Sequence, residues 1–115
     1  MSLDVEPSGA VRVAKEVVSS IAAMAAEEVD GVAGTDPFGE PGLRPSWWRR
    51  PAHRGVRVEI DSSNRLHLDV FISVHAGREF RQVGERVQAS VSEAVGKMLG
   101  LDVAEVNVHV SGVTF

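Results

Sequence analysis

The chain contains no cysteine, and this absence removes several kinds of chemistry at once. Without thiols there are no disulfides, no thiolate nucleophiles and no zinc sites built from cysteine. A chain without cysteine is also compatible with a reducing compartment.

Long apolar segments are missing as well. No run without Asp, Glu, Lys or Arg exceeds ten residues, and VVSSIAAMAA at 17–26 is one run of that length. A helix that spans a bilayer needs about 20 apolar residues. The first residues, MSLDVEPSG, carry acidic side chains where a secretory signal peptide carries lysine or arginine. We therefore expect a soluble protein whose contact with a membrane is peripheral.

The motifs of common enzyme classes are also absent. The sequence contains no G-x-S-x-G nucleophile elbow, no G-x-x-x-x-G-K-[ST] phosphate loop and no G-x-G-x-x-G dinucleotide fingerprint. We predict no catalytic residue, no cofactor and no cofactor-binding residue, and we interpret the chain as non-enzymatic.

The charge is acidic overall and unevenly distributed. The formal net charge is −4, of which residues 1–40 contribute −6 (eight acids, two bases) and the remainder +2 (eight acids, ten bases). A nucleic-acid-binding domain is usually basic, so nucleic acid is an unlikely partner. The basic residues form one local cluster, in RPSWWRRPAHR at 44–54.

Two segments have the spacing of amphipathic helices. Apolar residues recur at helical intervals over 14–29 and over 79–99, and Gly31 and Gly100 are suitable stops. Between 36 and 54 the periodicity disappears, and four prolines and two glycines predict a long loop. We divide the chain into a flexible tail at 1–8 and one domain at 9–115 that contains this loop.

The remaining segments predict strands. Residues 9–13 read as a short extended entry and 31–34 as a short apolar strand. Apolar and polar residues alternate over 55–60 and 65–75, with the turn sequence DSSN between them, which predicts a β-hairpin. Residues 103–115 predict a last strand with a bulge at Ser111-Gly112, where the alternation changes parity.

This order, β-α-β-β-β-α-β, predicts an α+β fold with two layers. Each helix has one apolar stripe and each strand one apolar face, so both helices pack on one side of a mixed, mostly antiparallel sheet. The second helix connects parallel neighbours by a right-handed crossover. The other side of the sheet is then open and displays Arg57, Glu59, His67, Asp69, Phe71, Ser73, His75, Asn107 and His109.

Four blocks of this sequence resemble the alkaline-shock, or envelope stress response, family of Gram-positive bacteria. They are VRVAKEVVSSIAAMAAEEVDGV (11–32), GVRVEIDSSNRLHLDVFISVHAG (55–77), VQASVSEAVGKMLGL (87–101) and VNVHVSGVTF (106–115). The resemblance implies an abundant cytoplasmic protein that associates with itself and is held at the inner side of the cell membrane by a membrane-anchored partner. It implies no reaction, because the family has no established catalytic residues.

The histidines of the open side are candidates for a metal site or for solvated surface. His67 and His75 lie about 26 Å apart along one strand, so they cannot share an ion within one chain. His67 with Asp69, or one histidine with His109, remains possible. Surface histidines are the more common case, and we predict no metal site.

Both tryptophans of the chain, Trp47 and Trp48, lie in the basic loop beside Arg49 and Arg50. Three interpretations are open in addition to contact with nucleic acid. The indoles could cover part of the core, the loop could dock a protein partner, since Trp and Arg dominate binding hot spots, or it could touch anionic lipid headgroups. Phe71, the bulky apolar residue of the open side, is a further candidate contact.

Three functional hypotheses follow. The first is a self-associating stress response protein that acts as a membrane-proximal scaffold through protein–protein contacts. The second is a small ligand-binding protein or enzyme that uses the polar sheet face and loop 36–54. The third is peripheral membrane binding through Trp47, Trp48, Arg49 and Arg50.

Overall fold

The computed structural model describes residues 9–35 and 55–115, with side chains from residue 14 onward. These ranges contain α1 (Gly9–Glu27), β1 (Val32–Thr35), β2 (Val56–Ile60), β3 (Leu66–His75), α2 (Phe80–Leu99) and β4 (Val103–Thr114). The predicted tail at 1–8 and loop at 36–54 lie outside the described residues.

The strand predicted at 9–13 is wrong, because α1 already begins at Gly9. A strand needs a hydrogen-bonded neighbour, whereas a residue added to a helix finds its partner four positions along the same chain. No Ser, Thr, Asp or Asn stands at 12–14 to cap a later start, so the helix extends back through these residues. The order of elements is therefore α-β-β-β-α-β.

β3 is the central strand of the sheet and pairs along both of its edges. On one edge β2 runs antiparallel to the first half of β3, and β1 runs antiparallel to its second half. On the other edge β4 runs parallel to β3 along its whole length. This confirms the mixed, mostly antiparallel sheet and the parallel crossover through α2.

Both helices pack on the same face of this sheet, as predicted. The alternate residues of β3 from Leu66 to Val74 are almost fully buried, and they meet four valines of α2. The α2 valines are Val83, Val87, Val91 and Val95. α1 contributes small buried residues, Ala22, Ala25 and Ala26, which allow close approach between the helices. There the Ser90 hydroxyl of α2 donates to the carbonyl of Ala25 at 3.0 Å.

α2 begins and ends at residues suited to those positions. The Glu79 carboxylate accepts a hydrogen bond from the backbone N–H of Gln82 at 2.9 Å, which caps the first turn. Gly100 adopts a left-handed conformation with φ of 66° and donates its N–H to the carbonyl of Gly96. The predicted stop at Gly100 is confirmed.

β4 carries two irregularities in its pairing with β3. One shift in register falls between Val110 and Gly112, which confirms the predicted bulge. The other falls between Val103 and Glu105 and was not predicted from the sequence.

Candidate interaction surfaces

The open face is the side of the sheet opposite the two helices. β2, β3 and β4 contribute alternate residues to it, and the cross-strand register places Arg57 beside Asp69, His67 beside Glu105 and Phe71 beside His109. No helix or strand of the described ranges covers this face. The predicted placement of Arg57, His67, Asp69, Phe71 and His109 on this face is therefore confirmed.

His67 lies between two carboxylates. Its Nε2 is 2.8 Å from Asp61 Oδ2 and its Nδ1 is 2.8 Å from Glu105 Oε2. Both contacts are hydrogen bonds only when both ring nitrogens carry a proton, that is, in the imidazolium form. These hydrogen bonds raise the pKa of His67 above 6.5, and the bond with Asp61 contributes more than the bond with Glu105. The three side chains therefore join β3, β4 and the turn after β2.

Asp61 organises that turn. One of its carboxylate oxygens accepts from the backbone N–H groups of Ser63 and Arg65, at 2.8 and 3.0 Å. The other accepts from His67, and this bond is the main reason that the pKa of Asp61 is lowered to about 2. The sequence DSSN predicted a turn here, but the ion pair with His67 was not predicted.

Phe71 is not an isolated exposed aromatic residue. Its ring stacks on His109, with centroids 4.5 Å apart and planes 18° from parallel, and the Arg57 guanidinium carbon lies 5.9 Å from its centroid. His109 Nε2 is in turn 3.0 Å from Asp69 Oδ1. Phe71 thus forms the apolar centre of a polar cluster.

The contacts around the histidines limit what this face can do chemically. Both nitrogens of His67 and the Nε2 of His109 already face carboxylates, so in its imidazolium form His67 has no lone pair for a metal or a substrate proton. Within residues 14–35 and 55–115, no three His, Asp or Glu side chains form a metal-binding group.

The remaining predicted contact residues, Trp47, Trp48, Arg49 and Arg50, lie outside the described residues. Their role stays a prediction, and so does the ligand-binding alternative that includes loop 36–54.

The outer edge of β4 is a second surface, and the sequence did not predict which strand lies at the edge of the sheet. The N–H of Leu66 donates to the carbonyl of Asp102 and that of Ala76 to the carbonyl of Thr114, so even-numbered residues of β3 direct their backbone groups to β4. In a parallel pair, such a residue bonds to the two residues that flank its register partner. The backbone N–H and C=O groups of the partners therefore point away from β3. These partners are Val106, Val108, Val110 and Val113.

α2 covers only the beginning of this outer edge. Gln88 Nε2 donates to the carbonyl of Val106 at 2.8 Å. Beside it lies an open groove of about 350 Å³ lined by Glu85, Gln88, Ala89, Ser92, Val103, Ala104, Glu105 and Val106. Farther along, Val110 and Val113 of β4 and the following residue Phe115 are exposed, by 38%, 40% and completely.

The sequence carried a signal for this edge. The segment VNVHVSGVTF at 106–115 has strand alternation but no Asp, Glu, Lys, Arg or Pro, the residues that usually protect an edge. What the sequence could not show is that β4 has a neighbour on one side only among the strands of residues 9–35 and 55–115, because that depends on the order of strands.

Over the part of the chain that the structure describes, the fold and these surfaces define a two-layer α+β domain with an open polar face and an open strand edge. The chain belongs to the alkaline shock protein 23 family, which is described by a cell envelope-related function, and the family match covers residues 4–115.

Two relatives come from Bacillus subtilis strain 168 and are both named as uncharacterized proteins. YqhY is 31% identical over 107 residues, which cover 93% of this chain and 78% of YqhY. YloU is 30% identical over 107 residues, which cover 91% of this chain and 88% of YloU.

Among solved structures, the fold is similar to that of the MamM CTD. A triple variant of that domain superposes with a TM-score of 0.56 at 21% identity, covering 87% of this chain and 96% of the other. Its copper form gives 0.54 at 22% identity, with 84% of each chain covered. Identities this low show the shared α+β fold and nothing further.

Neither helix of the described part of the chain is both long and apolar enough to cross a bilayer.

Proposed function

We propose that this chain is a non-enzymatic scaffold of the envelope stress response. It associates with copies of itself and binds a membrane-anchored protein at the inner, cytoplasmic side of the cell membrane. The proposed contacts with the partner are Phe71 on the open face together with Trp47, Trp48, Arg49 and Arg50.

The observation that carries this proposal is the pairing of ionisable groups on the open face. A general base needs a nitrogen or carboxylate that can take a proton from a substrate. On this face His67 holds Asp61 and Glu105, and His109 holds Asp69. Such a surface is suited to contact with another macromolecule, and the envelope-related description of the family supports that reading.

Fractionation of the native cells tests this function. We expect tagged full-length chain to sediment with membranes, and to recover untagged copies and a membrane-spanning protein from a detergent extract. Phe71→Ala should reduce recovery of the membrane protein, because it removes the apolar centre of the open face. Met24→Ala, which alters an apolar residue on α1 that is 60% exposed, is the matched control.

Two outcomes contradict the proposal. One is a chain found only in the soluble fraction and without other copies. The other is that the purified chain binds protein-free anionic vesicles as well as it binds native membranes. Lipid would then replace the protein as the partner.

A further inference from the structure

We infer that the outer edge of β4 pairs with the same edge of a second copy, antiparallel and around a two-fold axis. This inference rests on the proposed self-association and names the surface responsible for it.

The first argument is the row of backbone groups that the fold leaves outside the sheet. Val108, Val110 and Val113 direct N–H and C=O away from β3, and no strand of the described residues pairs with them. A strand edge of this kind is a template for another extended chain.

The second argument is the absence of the usual protection. Natural edge strands carry lysine, other charged side chains or proline, which hinder pairing with a neighbour. From Val106 to Phe115 this edge carries none of these. The bulge at Ser111 interrupts it, but the outward groups of Val108 and Val110 precede that bulge.

The third argument concerns register. Because Gln88 occupies the carbonyl of Val106, pairing without any rearrangement begins at Val108. A two-fold axis beside His109 then places Val108 of one copy opposite Val110 of the other. The outward groups of these valines form about four main-chain hydrogen bonds.

This register also fits the side chains. The side chains of Val108 and Val110 point to the helix side of the sheet, so the valines of the two copies form one continuous row there. Val110, which is 38% exposed in the single chain, becomes covered. The segment brings no acidic, lysine or arginine side chain of one copy against its equivalent, and therefore a second copy is a self-complementary occupant.

Edge substitutions test the inference by sedimentation velocity over a concentration series. Val110→Lys places a charge on the edge of each copy, and Val108→Pro removes an N–H that points away from β3, where proline is tolerated in an edge strand. We expect either change to raise the dissociation constant of the dimer at least about tenfold. Val17→Lys is the matched control, since Val17 is 39% exposed on α1. It should change the constant less than about twofold.

Cross-linking gives a second measurement that does not depend on those variants. The natural chain has no cysteine, so single-cysteine variants are unambiguous. His109 of the two copies forms a non-hydrogen-bonded pair in this register, with Cβ atoms about 5 Å apart, which permits a disulfide. His109→Cys should give covalent dimers under mild oxidation, and Val17→Cys should not.

The outcomes separate the two ideas. A wild-type chain that stays monomeric at high concentration overturns both self-association and the edge. Association that Val110→Lys and Val17→Lys weaken equally, or that neither weakens, overturns only the edge. Covalent dimers from Val17→Cys but not from His109→Cys would also overturn it.

Discussion

A single histidine links three parts of the sheet, and its protonation should make stability depend on pH. The pKa of His67 is raised in the folded protein, so its contribution is fully present below pH 6.5 and is lost as pH rises through the raised value. The pKa of Asp61 is lowered from 3.8 to about 2, so its contribution is present above pH 3.8 and is lost as pH falls toward 2. We expect the urea midpoint to be highest between about pH 3.8 and 6.5 and to decline at lower and at higher pH.

His67→Gln separates this effect from the rest of the titration. The variant should lose the part of the alkaline decline that His67 causes, whereas His75→Gln, at the end of the same strand, should keep it. NMR titration of the imidazole measures the value directly, and a pKa of 6.5 or lower for His67 would contradict the prediction.

The turn between α1 and β1 depends on a glycine that contacts another element. Gly31 has a φ of 103°, and a Cβ placed there would meet Val83 Cγ2 at 2.8 Å. Gly77 has a similar φ of 89° but open space around the same position. At either position, alanine is disfavoured at a positive φ, whereas glycine is not. Gly77→Ala should therefore lower the free energy of unfolding by about 1–2 kcal/mol. Gly31→Ala should cost roughly 1–3 kcal/mol more, from overpacking against α2.

Urea unfolding measures both variants, and a double-mutant cycle identifies the cause. Gly31→Ala should destabilise the fold less in a Val83→Ala background than in the natural chain, because the methyl group that the new Cβ meets is then absent. Equal stabilities for Gly31→Ala and Gly77→Ala would show that the contact with Val83 is unimportant.

Substitutions in the central strand β3 should destabilise the fold more than substitutions at exposed positions of the helices. Leu68 is completely buried in the middle of β3, where β2 and β4 pair on its two edges and limit relaxation. Leu68→Ala should destabilise the fold by about 2–5 kcal/mol. Met98→Ala removes a side chain that is 69% exposed on α2 and should stay within about 0.5 kcal/mol. Similar urea midpoints for the two variants would contradict this assignment of the core.

Across the whole molecule, the local sequence pattern predicts most of the helices and strands, but it does not predict which strands lie next to each other. The period-two alternation of β3 and the helical spacing of α2 predicted their buried faces, because burial of one face decides both patterns. Residues 9–13 were misassigned because alternation over five residues fits a strand or the start of a helix. The edge of β4 that no described strand pairs with, and the ion pairs of His67, both depend on which strands meet. A single sequence does not encode this locally.

Net charge provides a further prediction that concerns the whole molecule. Each copy carries a formal charge of −4, so two copies repel one another at long range. Salt screens that repulsion, with a Debye length of about 10 Å at 0.1 M. Pairing through uncharged backbone groups and valines is not itself weakened by screening. The dissociation constant from sedimentation velocity should therefore fall as ionic strength rises from about 0.02 to 0.3 M.

Contact with anionic vesicles through the arginine cluster would weaken over the same range, so the two responses have opposite signs. Self-association that weakens with salt would mean that opposite charges, rather than the edge of β4, hold the copies together.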